Sequence, residues 1–311
     1  MDHNYWDVII VGAGPAGLSA ALMLGRSRRS VLVVDAGAGR NRFAAGMHGV
    51  LGHDGKPPAQ LRAEGRAEAE AYGVRFEEGS VAAVSREGDG VRVETDGGVH
   101  SARALIVATG VRDELPGIPG LAERWGETVL HCPFCHGWEV RDRRLAVLAT
   151  SPMSVHQAEM VRGLSDRVTL FAAGAGALSD EARIRLTARG IEIVEQPVRE
   201  VLGAAPEIEG VRVEGGAVVP VDAIFTGGTL VPHDGFLAGL GLARTQMPFG
   251  AFLAVDAAGR TSDERIWAVG NVVSPMANVP MSMGAGAMTG SAVQGALIGW
   301  DTDAVVARLS A

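Results

Sequence analysis

The stretch WDVIIVGAGPAG, residues 6–17, decides the fold of this chain. Its apolar half, residues 6–11, has the composition of a strand that is buried on both faces of a parallel sheet. A glycine-rich turn follows, then a helix-like segment at 18–24, and a second apolar strand at 31–34 that ends in Asp35. This order of strand, glycine turn, helix, strand and acid is typical of a dinucleotide-binding βαβ unit.

Each feature of that unit has a physical reason in this sequence. Gly12 permits the tight turn, Gly14 lets the backbone approach a pyrophosphate, and Gly17 lets the helix pack closely against the strand. The N-terminus of the helix supplies unpaired N–H groups and a positive dipole to the phosphates. Asp35 is placed to accept hydrogen bonds from the adenosine ribose.

Composition limits the remaining possibilities. A chain of 311 residues with 47% hydrophobic residues predicts two domains. A net charge of −8 and no basic stripe argue against nucleic acid as a partner. Two cysteines are too few for a disulfide scaffold, and the first residues lack a basic signal-peptide region, so we expect a cytoplasmic protein. The uncharged stretches 8–25 and 266–300 are interrupted by Gly and Pro, so we expect no membrane span.

Outward from the first unit, the sequence alternates between short strands and helices. The first part of the chain predicts a helix at 59–72, a strand at 74–76, a meander at 81–85, 90–95 and 99–102, a buried strand at 104–110 and a linker at 116–120. A second α/β block has predicted strands at 145–149, 168–171, 191–194 and 223–226. The last predicted elements are a strand at 266–269 and a Gly-, Ala- and Ser-rich helix at about 281–298.

The two cysteines of the chain lie three residues apart in HCPFCHGW, residues 131–138. They could be a buried pair that acts as small apolar residues, or part of a zinc site. A structural zinc site needs four ligands, and the sequence has neither a second CxxC nor an HxxxH. A redox-active dithiol is the interpretation we favour, because such sulfurs close a small ring and exchange through a mixed disulfide.

With a dinucleotide fingerprint, an Ala-Thr-Gly strand end at 108–110, a CxxC and a terminal glycine turn and helix, the sequence resembles the low-molecular-weight thioredoxin reductases. The resemblance covers nearly the whole chain. It implies an α/β fold of two Rossmann-like, three-layer ββα domains, with an FAD-binding domain from residues 1–116 and 243–311. A central NAD(P)-type domain at 117–242, which carries the CxxC, interrupts it. FAD as the cofactor and a homodimer are implied as well.

The resemblance also assigns roles by position. Cys135 is the sulfur near the flavin, and Cys132 is the one that attacks or releases the substrate. Asn271 stands where the family has an acidic residue beside the flavin phosphate or ribityl chain, and its amide can still form hydrogen bonds there. The cofactor contacts implied in this way are Gly12, Gly14, Pro15, Ala16, Gly17, Asp35, Arg40, Asn41, Val81, Ala108, Thr109, Gly110, Gly270 and Asn271.

Two departures from the family lie in the central domain. After the strand at 145–149, a glycine-rich nucleotide turn is replaced by TSPMSVHQA, residues 150–158, which has no glycine and contains Pro152. After the next strand, the basic cluster for an adenosine 2′-phosphate is replaced by the uncharged FAAGAGA, residues 171–177. We therefore expect the central domain to keep the fold with a degraded nucleotide site.

A third departure concerns the cysteines. The reductases follow the second cysteine with an aspartate, whereas this chain has His136, and His131 precedes the first cysteine. Histidine titrates near neutrality and can take a proton from a thiol, and Glu127 could support His131. In these residues the chain resembles the gliotoxin- and holomycin-type dithiol oxidases, flavoenzymes of the same fold that close disulfides in small secondary metabolites. The alternative for each histidine is a buried hydrogen-bonding residue that orients the loop.

The sequence thus predicts an FAD-dependent dithiol oxidase with a small-molecule dithiol as substrate, O2 as electron acceptor and no metal. The catalytic candidates are Cys132, Cys135, His131, His136 and Glu127, and Trp125, Phe134 and Trp138 are candidates for an apolar substrate pocket. His48 and His53, in a Gly-rich loop after the second strand, could lie near the flavin edge, and neither is counted among the site residues. The alternatives are a reductase of the thioredoxin reductase kind, supplied by NAD(P)H or a ferredoxin, and a flavin-bound redox sensor.

Overall fold

The structure is a computed structural model, and it describes residues 4–248 and 250–310. The chain divides into two compact units. The first contains the described residues up to Arg42, Pro57–Arg112 and the described residues from Leu230 onward, and the second contains Phe43–Lys56 and Asp113–Thr229. The sequence predicted domain boundaries at 116/117 and 242/243, whereas the two units change at 112/113 and 229/230. The segment 43–56 also groups with the second unit.

The elements are as follows in chain order. The chain begins with β1 Tyr5–Val11, α1 Pro15–Arg26, β2 Val31–Asp35, α2 Pro58–Glu70, β3 Arg75–Glu78, β4 Val81–Glu87, β5 Gly90–Thr95, β6 Gly98–Val107 and β7 Val111–Glu114. It continues with β8 Val129–Leu130, α3 Pro133–His136, β9 Leu145–Leu148, α4 Ser154–Val161, β10 Val168–Phe171, α5 Asp180–Ala188, β11 Ile191–Val194, β12 Val198–Leu202, β13 Gly210–Val213, β14 Val218–Val219 and β15 Ala223–Thr226. It ends with β16 Thr229–Pro232, β17 Arg244–Met247, β18 Gly250–Leu253, β19 Ile266–Ala268 and α6 Val279–Leu309.

The first unit has three layers around one sheet. The strand order is β3-β2-β1-β6-β5-β4, and β19 pairs in parallel with β6. Side chains alternate along β1, so Val8 and Ile10 pack against α1 and α6, while Ile9 and Val11 pack against the meander strands β4 and β5. This alternation explains the uninterrupted apolar run of the first strand, because both of its faces are buried.

The second unit repeats this plan on a smaller sheet. The order is β11-β10-β9-β15-β8, and the pairs within it are parallel. On β9, Leu145 and Val147 pack with residues of α4 and α5, whereas Ala146 and Leu148 pack with the strands β12 and β13. The predicted α/β class with two Rossmann-like units is therefore confirmed.

Two predicted elements differ from those in the structure. The strands predicted at 99–102 and 104–110 are one continuous strand, β6, because Arg103 between them keeps the extended backbone and pairs with Asp7 and Asp301. The last helix is longer than predicted, and begins where the side chain of Asn278 accepts a hydrogen bond from the Met281 amide. Among the described residues, no helix combines the length and the apolar character that crossing a bilayer requires.

Candidate functional site

The glycine turn between β1 and α1 is tightly packed at two of its glycines and open at the third. Gly12 has a φ of +103°, and a Cβ there would lie 2.5 Å from the Ala108 carbonyl oxygen. A Cβ at Gly17 would lie 1.9 Å from the Gly12 carbonyl oxygen. Nothing lies within 4 Å of a Cβ at Gly14, which precedes α1, and no side chain caps this helix. The open N-terminus is therefore accessible to an anion.

Asp35, at the end of β2, holds this turn in place. Its Oδ1 accepts a hydrogen bond of 2.9 Å from the amide of Ala13. The amide of Gly12 donates to the Val34 carbonyl oxygen at 2.8 Å. The other carboxylate oxygen, Oδ2, lies 3.7 Å from Nη2 of Arg62 and keeps part of its acceptor capacity for a ligand.

The end of β6 supplies an unsatisfied polar atom on the same unit. The hydroxyl oxygen of Thr109 is buried and has no hydrogen-bond partner among the residues that the structure describes. Ala108 before it donates its amide to the Val11 carbonyl oxygen, and Gly110 after it has a φ of +70°. A buried hydroxyl of this kind requires a partner, which a bound ligand can supply.

Arg40 and Asn271 are brought together, and both hold a loop. Nδ2 of Asn271 donates to the carbonyl oxygens of Ser274, Pro275 and Ala277 at 3.0, 3.3 and 2.8 Å. Its Oδ1 accepts from Nη1 of Arg40 at 3.4 Å, and the same Nη1 donates to Pro275 at 3.1 Å. The Asn271 side chain thus stabilises the loop after Gly270, a structural task that the sequence did not suggest.

The other predicted cofactor contacts lie in the first unit as well. Pro15 begins α1, and Ala16 lies 3.0 Å from a Cβ built at Gly270. Asn41 is half-buried beside Arg40, and Val81 is the half-buried first residue of β4.

The cysteine pair lies in the second unit, at the short helix α3. Cys132 directly precedes this helix and Cys135 lies within it. The two Sγ atoms are 2.6 Å apart, and the amide of Cys135 donates to the Cys132 carbonyl oxygen at 3.1 Å. A disulfide bond measures about 2.05 Å, so oxidation of the pair to a disulfide requires only a small movement of the sulfurs. No group of three or more His, Cys, Asp and Glu residues in the described ranges is arranged to hold a metal ion.

His131, before the first cysteine, is held by the neighbouring helix α4. Its carbonyl oxygen accepts a hydrogen bond of 2.9 Å from Nε2 of Gln157. Its ring packs against Trp125 with a centroid distance of 6.5 Å. Glu127 is exposed and lies in the turn at 126–128 that precedes β8, and its support of His131 stays a prediction.

His136 follows the second cysteine and lies in a charged neighbourhood that the sequence did not reveal. Burial lowers the pKa of His136 below its usual value, Glu139 opposes this shift, and His48 adds to it. His48 reaches this place from the segment 43–56, and its Nε2 lies 3.4 Å from Oε1 of Glu139. No sequence signal linked the two, since they come from distant parts of the chain.

The aromatic candidates around the cysteines separate into two groups. Phe134, between the cysteines, is 82% exposed, and Trp138 is 69% exposed. Trp125 instead packs against the core that β9 shares with β12 and β13. The two exposed rings are therefore the ones that a ligand can contact.

The features above agree with what similarity to known proteins shows. The model of the pyridine nucleotide-disulphide oxidoreductase family matches residues 6–290. The chain belongs to this family. It is 33% identical to the thioredoxin reductase tcpT of Claviceps purpurea, over 92% of each chain, and 32% identical to the thioredoxin reductase sirT of Leptosphaeria maculans, over 96% of each. The crystal structure of HlmI superposes with a TM-score of 0.92 at 43% identity, covering 98% of both chains.

As a member of this oxidoreductase family, the chain is a flavin-dependent enzyme with FAD as its cofactor. The residues of the first unit fit that group. The space at Gly14 and the uncapped start of α1 suit the pyrophosphate, and the carboxylate of Asp35 suits a ribose hydroxyl. The buried hydroxyl of Thr109 is the further polar atom that a bound cofactor can satisfy.

In the turn after β9, where the family resemblance places a pyridine nucleotide, backbone amides bond to groups of the turn itself. The hydroxyl of Ser154 accepts from the amide of Thr150 at 3.2 Å, and the amide of Ser154 donates to the Ser151 carbonyl oxygen at 3.0 Å. A Cβ on Gly174, in the next turn, would lie 2.0 Å from the Ala149 carbonyl oxygen. Backbone donors that would meet a pyrophosphate are thus used within the turn.

Proposed function

We propose that this flavin-dependent disulfide oxidoreductase is a dithiol oxidase that closes an intramolecular disulfide in a small molecule, with O2 as the electron acceptor. The observation that carries the proposal is the cysteine pair, with its sulfurs 2.6 Å apart and a histidine on each side, in a unit whose nucleotide turn is filled by Ser154. Such a site favours electrons that arrive from sulfur over electrons from a nicotinamide.

The exchange steps follow from the positions of these residues. His131 takes the proton of one substrate thiol, and the thiolate attacks Sγ of Cys132 in the oxidised pair. The Cys132–Cys135 bond breaks, and Cys135 leaves as a thiolate. The second substrate thiolate then attacks the substrate sulfur of the mixed disulfide, which releases the cyclic disulfide and leaves both cysteines reduced.

FAD, when bound, supplies the two-electron acceptor that returns the cysteine pair to the disulfide. In total, the dithiol loses two electrons and two protons, and O2 gains both to form hydrogen peroxide. The residues that hold the cofactor in this proposal are those of the glycine turn, with Asp35 and Thr109.

The substrate class is inferred from the exposed rings. Phe134, between the two cysteines in sequence, and Trp138, three residues after Cys135, offer exposed apolar rings, which suits a compact aromatic or bicyclic dithiol. The resemblance to the gliotoxin- and holomycin-type oxidases supports a substrate from secondary metabolism. The homodimer and the cytoplasmic location remain predictions of the resemblance and the composition.

Anaerobic mixing tests the direction of electron flow. Dithiothreitol should bleach the flavin absorbance of the parent enzyme, and Cys135→Ser and Cys132→Ser should each prevent the bleaching while FAD stays bound. In air, the parent should consume one O2 for each dithiol oxidised, without NADPH. Rapid bleaching by NADPH, together with none by dithiols, would refute the proposal.

A disulfide reductase is the second candidate, because the similar proteins of Claviceps purpurea and Leptosphaeria maculans are named thioredoxin reductases. A reductase supplied by NADPH requires saturable bleaching by that nucleotide. The same stopped-flow measurement therefore decides between the two candidates.

A further inference from the structure

The segment Phe43–Lys56 forms an ordered part of the second unit. The amide of Met47 donates to the Lys56 carbonyl oxygen at 2.9 Å, and the amide of Gly55 donates to the Met47 carbonyl oxygen at 2.7 Å. Met47 and Val50 are buried, and a Cβ on Gly126 would lie 2.6 Å from the Cβ of Phe43. These contacts fix the position of His48 within the segment.

His48 lies between two carboxylates. Its Nε2 is 3.4 Å from Oε1 of Glu139, and its Nδ1 is 3.4 Å from Oδ2 of Asp54. The other oxygen of Asp54 accepts a hydrogen bond of 2.8 Å from the amide of Gly49, which fixes the carboxylate. Glu139, His48 and Asp54 thus form a row. Their side chains are 43%, 28% and 68% exposed, so the row ends in water at Asp54.

The near end of this row acts on the histidine beside the cysteines. Glu139 is three residues after His136, and the two interact electrostatically, as do His48 and His136. Burial is the main cause of the lowered pKa of His136, so its ring is mostly neutral at neutral pH and can accept a proton. The further charged group at this segment is Arg141, whose guanidinium lies 3.9 Å from the centre of the Trp138 ring.

We propose that Glu139, His48 and Asp54 form a proton path between His136 and solvent, in which His48 is the positioning residue that links the two carboxylates. The inference rests on the proposed exchange at Cys132 and Cys135 and deepens it. When the second substrate thiol attacks the mixed disulfide, one S–S bond forms, one breaks, and this thiol releases its proton. His136 accepts this second proton, the first having gone to His131, and passes it along the row to water.

The test uses the FAD-loaded enzyme and dithiothreitol under anaerobic conditions, followed by flavin absorbance between pH 5.5 and 8.5. His48→Ala should slow the reduction about tenfold, a modest part of the 10²–10⁴-fold that general acid–base groups contribute. Added imidazole should restore most of the rate, which a purely structural role of His48 would not permit. The matched control is His156→Gln, an exposed histidine on α4 with Glu159 at 3.9 Å, which should keep the parent pH profile.

A His48→Ala enzyme with the parent rate and pH profile would overturn the path, and so would a slow enzyme that imidazole does not restore. If His48→Ala fails to retain FAD, Glu139→Gln decides, because it leaves the segment 43–56 intact. An unchanged pH profile in Glu139→Gln refutes the path, and a flattened profile supports it. The anaerobic experiment does not depend on O2 as the acceptor. Failure of the oxidase proposal would instead appear in the separate experiment in air, as absent O2 consumption.

Discussion

At the scale of single residues, the glycines of the first turn perform different tasks. Gly17 lacks a side chain because the chain itself fills that space, with the Gly12 carbonyl oxygen 1.9 Å from where a Cβ would be. Gly14 has open space around it and an ordinary φ of −74°, so alanine fits the protein there. Only the approach of a ligand explains why position 14 should have no side chain.

These two glycines give a paired prediction. Gly17→Ala should lower the free energy of unfolding of the apoprotein by about 3 kcal/mol, because the backbone must move to admit the methyl group. Gly14→Ala should leave that free energy unchanged within about 0.5 kcal/mol. It should weaken FAD binding about tenfold or more, because the methyl group holds the pyrophosphate away from the backbone amides.

Urea unfolding of the apoproteins and titration with FAD, followed by quenching of flavin fluorescence, measure the two effects. Gly299→Ala on α6, where a Cβ also meets open space, is the control for FAD binding. If the Gly14→Ala protein binds FAD as tightly as the parent, the cofactor does not bind at this turn.

At the scale of elements, the long helix α6 lies directly on α1 through its small residues. A Cβ on Gly286 would lie 2.1 Å from the Ala16 carbonyl oxygen, and a Cβ on Gly290 would lie 2.9 Å from the Ala20 carbonyl oxygen. Past Trp300 the helix continues because Asp301 pairs with Arg29 at 2.9 Å and with Arg103 at 2.7 Å. Close backbone packing and these ion pairs hold α6 against the helix that starts at the cofactor turn.

A second pair of substitutions tests this packing. Gly286→Ala should lower the free energy of unfolding by about 3 kcal/mol, because the methyl group separates the two helices. Gly284→Ala, two residues earlier with nothing near its Cβ, should raise it by up to about 1 kcal/mol through helix propensity. Urea denaturation followed by circular dichroism measures both, and equal effects of the two substitutions would contradict the close contact.

At the scale of the whole molecule, two histidines with lowered pKa values make stability depend on pH. Burial lowers the pKa of His233 below the usual 6.5, Arg112 and Arg42 lower it further, and Asp234 opposes them. The folded protein therefore binds fewer protons than the unfolded chain in the range just below pH 6.5. The contribution of this histidine to stability is fully present above the unfolded pKa and is lost as the pH falls toward the folded pKa. Burial acts on His136 in the same direction.

The corresponding prediction concerns acidification. The urea midpoint of the parent should fall between pH 7.5 and pH 5, and His233→Gln should fall less, because it lacks one of the groups that takes up a proton on unfolding. His156→Gln, on α4, should follow the parent curve. A His233→Gln curve parallel to that of the parent would show that His233 does not cause the dependence.

The histidines beside the cysteines show where reasoning from the sequence stopped. Glu127 was predicted to support His131 on the basis of a spacing of four residues, which brings side chains together only in a helix or a turn. The structure has a turn at 126–128 and then the short strand β8, and Gln157 on α4 holds the backbone carbonyl of His131, a contact that the sequence did not reveal. Likewise, His48 was given no role, because its partner Glu139 is distant in sequence.

The sequence by itself determined the α/β fold, the cofactor turn and the cysteine pair, because each depends on residues that are close together in the sequence. Gly12, Gly14 and Gly17 set backbone angles and clearances within a single turn, and Cys132 and Cys135 are adjacent across a single helical turn. Tertiary structure alone decided that the segment 43–56 joins the second unit, and that Asn271 holds a loop. Such contacts depend on how separate elements pack, and side-chain chemistry alone does not specify which distant partner a polar group meets.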